Sequence, residues 1–248
     1  MDKPLLVFAI SVVALSTAAW FGAFIVRRQR PIQDEDDYSV ILAATLTLLG
    51  LFIGFSFSMA VSRYDLRKNY EEAEANAIGT DYVRADFLPL AEAAQLRQLL
   101  RAYLDRRVMF YKSDNPQLLR QISEQTAQLQ SDLWALVRNA GLAQPNPVIA
   151  LTVAGMNDVL NSESYTQAAW RNRIPVMVWV LMGAIAICGN VLIGLGAHAN
   201  KSRGWLLVIL PLTTSISFAL IADIDSPRGG LIRLAPQNLV PLVASLRL

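Results

Sequence analysis

Residues 38–84 read YSVILAATLTLLGLFIGFSFSMAVSRYDLRKNYEEAEANAIGTDYVR. From Tyr38 to Ser62 there is no charged side chain, and from Arg63 onward charges recur every few residues. Arg67, Lys68, Glu71, Glu72 and Glu74 are good helix formers, and no proline interrupts the chain before Pro89. The stretch predicts a single helix that crosses a membrane and continues out of it as far as Leu88–Pro89. About 20 apolar residues, at 1.5 Å each, span a hydrocarbon layer of ~30 Å.

Three further stretches are equally free of charge: Pro4 to Val26, Ile174 to Asn200 and Gly204 to Ala222. All four are 19 to 27 residues long, and in lipid the backbone satisfies itself only as a helix or closed barrel. The first run is too long for a signal-peptide core and ends in Arg27, Arg28 and Arg30, so it reads as a span. Of the 42 charged residues, 26 lie between Arg63 and Arg173, balanced at 13 basic and 13 acidic. The chain therefore divides into spans 1 and 2 (residues 1–62), a helical segment (63–173), spans 3 and 4 (174–222) and a tail (223–248).

An even number of spans puts both termini and the 63–173 segment on one side. Lys3, Arg63, Arg67, Lys68, Arg171, Arg173, Arg228 and Arg233 lie on that side, against Arg27, Arg28, Arg30, Lys201 and Arg203 on the other. The positive-inside bias makes the first side cytoplasmic. In the segment, Leu96, Leu99, Leu100, Tyr103 and Leu104 share one helical face, as do Leu118, Leu119, Ile122, Leu129, Leu133, Leu136 and Val137. Breaks fall at Ser113–Pro116 and Gly141–Pro147, and a third helix from about Val148 is expected to run straight into span 3. The fold class is all-α: four membrane helices with a cytoplasmic helical bundle inserted between spans 2 and 3.

Composition narrows function mainly by exclusion. One cysteine, Cys188, leaves no disulfide framework or cysteine metal site, and a net charge of +2 does not suit nucleic acid. There is no phosphate loop, no metal-ligand pattern and no nucleophile–histidine arrangement, so no enzyme, cofactor or metal is expected. Asp34 to Asp37 read as a solvated acidic loop. Asn190 and Cys188, inside span 3, are expected to bond to neighbouring helices. His198, at a span end, is read as interfacial. Asp223 and Asp225 stand where span 4 leaves the membrane and need partners, for which Arg63 and Arg67 at the base of span 2 are suited.

Span 2 carries two stripes. Gly50, Gly54 and Ser58 recur every four residues, the small-residue spacing that lets helices approach closely. Thr47, Leu51, Phe55 and Met59 recur one position on, so the stripes adjoin at about 100° per residue. Two arrangements satisfy the pattern. Several copies of the helix can surround an axis, small face to neighbour and bulky face inward, making an apolar constriction that gates by dewetting. Alternatively the small stripe packs on another span of the same chain and the bulky one faces lipid.

The run Leu49 to Arg84 resembles the second helix of bestrophin channels: a Gly54–Phe55 pair, then Arg63–Tyr64 two turns on, then a charged extension with Arg67–Lys68. DIDSPRGG, Asp223 to Gly230, resembles the acidic-x-acidic-x-Pro-x-x-Gly ending of the bestrophin-like domain family of bacteria and plants. The order of spans, insert and tail is similar too. The resemblance implies a homopentameric ion channel of a bacterial inner membrane, its partners being the bilayer, further copies of itself and permeant inorganic ions. It implies a pore neck of Thr47, Leu51 and Phe55, with Met59 continuing the lining, and it favours the first arrangement of the stripes. Thr47 departs from the apolar neck pattern and implies a wetter outer ring. Leu231-Ile232-Arg233-Leu234-Ala235 brings no carboxylate where animal bestrophins bind calcium, and Phe57 stands where bacterial ones often have a polar or basic residue. Calcium gating is therefore not expected, and ion selectivity does not transfer. The alternative is a non-conducting oligomeric scaffold whose cytoplasmic bundle binds a protein partner.

Overall fold

The computed structural model describes residues 3–28, 35–197 and 205–246. Arg30, Asp34, His198, Lys201 and Arg203 lie outside them. The acidic loop expected at Asp34 to Asp37 is corrected, since Glu35, Asp36 and Asp37 form the first turn of a helix, where carboxylates suit the unsatisfied N–H groups. The described residues are mostly helical, without a strand. The helices are α1 (Pro4–Arg28), α2 (Glu35–Arg84), α3 (Leu90–Lys112), α4 (Pro116–Ala143), α5 (Pro147–Arg171), α6 (Val176–Ala197), α7 (Leu206–Asp225) and α8 (Leu239–Ser245), with a 3-10 turn at Ala85–Phe87 after α2. Four stretches among them are long and apolar enough to cross a membrane.

The helix ends follow local chemistry. Asn115 caps α4, its side-chain oxygen accepting the N–H groups of Gln117 (2.9 Å) and Leu118 (3.4 Å), and Pro116 takes the first helical position. Asn146 and Pro147 repeat the arrangement at α5, with Val148 and Ile149 as donors at 2.9 Å. Asn supplies the acceptor that orphan N–H groups need, and Pro at the first position has no N–H to orphan.

Another expectation is corrected. The helix of the insert does not run unbroken into span 3, because the chain leaves helical geometry at Asn172–Pro175. Pro175 has no N–H and disfavours helical geometry at Ile174 before it. The N–H that Ile174 frees is taken by the Asp225 carboxylate at 3.2 and 3.3 Å.

The chain forms two compact units that divide within α2. The first comprises Met1–Tyr64 and Arg173–Arg233. Its core gathers Val7 and Leu15 of α1, Leu49 of α2, Met182 and Ala186 of α6, and Phe218 and Ala222 of α7. Here α1 and α6 touch backbone to backbone. A Cβ on Gly22 would run into the Val191 carbonyl, and one on Gly194 into the Ala19 carbonyl, so glycine is required at both by close approach. Asn190, expected to reach a neighbouring helix, instead donates to the Ala186 carbonyl of its own helix at 2.8 Å. One turn back is the nearest acceptor for a short amide in a helix.

The second unit comprises Asp65–Asn172 and Leu234–Leu248. The tail thus divides at Arg233, its final part joining the helical insert. Leu96, Leu100, Tyr103 and Leu104 of α3, Ile122, Leu133 and Val137 of α4, and Ile149, Met156 and Val159 of α5 are all buried, with α3 packed on α4 and α4 on α5.

Candidate functional site

Within the first unit, α2 has a buried side and an open side. Leu49, Ser56 and Ala60 are buried and Phe52 and Ile53 pack beside them. At about 100° per residue this stripe stays within roughly a third of the helix circumference. The bulky residues lie across from it: Leu51 is 50% exposed, Phe55 is 59% exposed, Thr47 is exposed and Met59 half-buried. The small stripe is open as well. Apart from its own helix, no described atom lies within 4 Å of where a Cβ on Gly50 or Gly54 would stand, and Ser58 is exposed. The small stripe therefore does not pack on another described span of its own chain, in contrast to Gly22 and Gly194.

At the charged end of this unit, Arg63 stands 3.9 Å from Asp225, with both side chains largely buried. Asp225 thus accepts the Ile174 N–H and also forms an ion pair with the guanidinium. Asp223 has different partners from those the sequence suggests. Its carboxylate accepts the N–H groups of Leu231 (2.7 Å) and Ile232 (2.9 Å), because the turn that follows folds back over it. Ser226 Oγ accepts the Gly229 N–H at 3.0 Å within that turn, and a Cβ on Gly230 would strike the Asp223 carboxyl. The Pro-x-x-Gly spacing is accounted for by this close approach. Arg67, in the second unit, donates to the carbonyls of Ala169 (3.2 Å) and Asn172 (3.1 Å), the unsatisfied end of α5.

The second unit holds polar groups that the sequence reading does not single out. Along α2, Arg67, Glu71, Glu74, Ile78, Asp81 and Ala85 are all buried at alternating spacings of four and three. That is the seam of a helix packed along its length, here carrying charges. Glu71 accepts the N–H of Asn238 (2.9 Å), its side-chain amide (2.6 Å) and the N–H of Leu239 (2.9 Å), and so caps α8. Glu74 receives Arg107 in a bidentate pair, the Tyr111 hydroxyl at 3.1 Å and the Thr166 hydroxyl at 3.3 Å. Arg107 also lies 3.6 Å from Glu163. Burial, with Glu74 adding to it, pushes the Tyr103 and Tyr111 phenols upward, so both stay protonated.

Asp81 differs from these, having no hydrogen-bond partner on either carboxylate oxygen among the described residues. At 1.5 Å per residue it lies ~29 Å along α2 beyond Ser62, outside the apolar span. Burial raises its pKa from 3.8 to about 7; Arg84 opposes the rise and Asp158 adds to it. The acid is held above its unfolded value, so its contribution to stability is full below about pH 4 and is lost as pH rises through about 7. The thermal midpoint is expected to fall as pH rises from about 4 to about 7 and to level off above that. Asp81→Asn is expected to flatten that fall, and an unchanged slope in the variant would contradict the assignment.

A family model described as the Bestrophin-like domain matches residues 8–239. The crystal structure of a bacterial bestrophin homologue from Klebsiella pneumoniae is 14% identical, covers 98% of this chain and 99% of its own, and superposes with a TM-score of 0.68. A point variant of a bacterial bestrophin homologue from the same organism is 13% identical, with 98% and 97% covered and a TM-score of 0.70. At such identities the likeness is one of fold. No curated protein matches in sequence. With nearly its whole length inside the matched region, the chain belongs to the bestrophin-like domain family.

Proposed function

We propose that five copies of the chain assemble around an axis and form an ion pore in the membrane, lined by α2. Thr47, Leu51 and Phe55 form its neck, Met59 continues the lining, and Gly50, Gly54 and Ser58 seat each copy of α2 against the next. The observation that carries this reading is the open side of α2. Both stripes lie uncovered on a helix whose opposite face is already buried in its own chain. A helix that packs on both its core and two neighbours needs both surfaces. An axial ring of Leu51 and Phe55 excludes water when narrow, and Thr47 offers a hydroxyl at the outer end. Ions crossing the membrane through the pore then meet the apolar rings as the principal barrier.

In this arrangement Arg63 and Asp225 hold the end of α2 to α6 and α7, so the neck is anchored where the helix leaves the membrane. The helical insert and both termini are on the cytoplasmic side, following the excess of Lys and Arg there. The assembly is tested by the mass of the purified protein in detergent. Five times the chain mass is expected, and a monomer would contradict the reading, because a single copy leaves no axis for the stripe to line.

A further inference from the structure

Away from α2, the first unit has a groove of about 530 Å³ between α1, α6 and α7. Ile10 and Leu15 of α1, Trp179 and Gly183 of α6, and Phe218 of α7 help to line it, and Lys3 stands at its end on α1. A Cβ on Gly183 would meet open space, so the groove has room beside the helix backbone. Its wall along α1 runs from Lys3 to Leu15, ~18 Å at 1.5 Å per residue, close to the ~15 Å depth of one leaflet. Lys3 forms no ion pair among the described residues. The groove thus combines an apolar trough about as long as one leaflet is deep with a cation at its end.

We propose that this groove binds one acyl chain of an anionic membrane phospholipid, in the leaflet on the side of the N terminus, with the lipid phosphate at Lys3. Length and charge choose this occupant over a second copy of the chain. The trough is about as long as the leaflet that an acyl chain crosses, and an ammonium at its mouth suits an anion. The site is independent of the pore and requires no particular number of subunits.

The test uses the full chain in vesicles containing phosphatidylglycerol or phosphatidylcholine with brominated acyl chains, which quench tryptophan on contact. The Trp179 contribution is isolated by difference from Trp179→Phe. Phosphatidylglycerol is expected to associate with the Trp179 site about fivefold more strongly than phosphatidylcholine, as one lysine near an anionic surface implies. Lys3→Gln should remove that preference and leave the fold untouched, since Lys3 is exposed. Gly183→Phe should fill the groove and abolish the specific quenching. Equal quenching by both lipids, unaffected by Lys3→Gln, would reduce the groove to ordinary lipid-facing surface and overturn the proposal. Absence of quenching by either lipid would overturn it too, showing that a second copy covers the groove.

Discussion

Leu51→Ala and Phe55→Ala are each expected to raise single-channel current by about tenfold. Both side chains are more than half free of contact in their own chain or close to it, at 50% and 59% exposure, so truncation removes little from the core. What it changes is the apolar surface that a ring of copies presents to water. At ~25 cal/mol per Å² of apolar surface, tens of Å² removed from each of several copies lower the cost of wetting by more than ~1.4 kcal/mol. That amount is a factor of about ten in a rate. The double variant is expected to exceed either single one, because the rings act in series. Val13→Ala is the matched control: Val13 is 64% exposed on α1 and lies on no proposed pore face. Its current should equal that of the unaltered protein. Equal currents in all five proteins would remove the neck from these residues.

Arg107→Ala is expected to give the largest loss of stability. The guanidinium is 1% exposed, holds Glu74 in a bidentate pair, faces Glu163 at 3.6 Å and lies over the Phe110 ring at 4.6 Å. Removing it leaves two buried carboxylates without their cation, and breaking a buried pair from one side costs ~3–5 kcal/mol. For a chain of this size the thermal midpoint should fall by ~10 °C. Thr166→Ala removes only one neutral donor to Glu74 and is expected to cost ~1 kcal/mol. Thermal unfolding of the detergent-solubilised protein checks both, and a midpoint for Arg107→Ala within ~2 °C of the unaltered protein would contradict the account.

How much of this is legible in the sequence depends on where charge sits. The spans stand out because lipid admits so few charges, and α2 can be followed beyond Ser62 because nothing between Arg63 and Leu88 stops a helix. The breaks before α4 and α5 are legible as Asn–Pro pairs. The break before α6 carries a similar signal in Pro175, yet the apolar run on either side hides it. The seam from Arg67 to Ala85 is the least legible feature, for a physical reason. Hydrophobic periodicity finds a buried face only when that face is apolar, and here four of its six positions are ionisable. Their partners, Arg107, Asn238 and the Asn172 carbonyl, lie 33 to 167 positions away. Asp223 shows the same limit on a smaller scale, since a carboxylate near lipid needs donors but backbone N–H groups serve as well as an arginine. On α2 the spacing shows two stripes but leaves open what they face, and only the structure shows that the buried side lies across from them.

The account rests on Phe55 facing a water-filled axis, and covalent labelling during current recording tests that most directly. In a Cys188→Ala background, Phe55→Cys places a thiol in the neck. A charged, membrane-impermeant thiol reagent added to the bath is expected to alter the current of the open channel within seconds and irreversibly. The same reagent should leave the current of Val13→Cys unchanged, because that position is on α1, outside the proposed lining. Reagent-insensitive current in Phe55→Cys, or a purified protein that stays silent with both Leu51 and Phe55 truncated, would contradict a pore lined by α2.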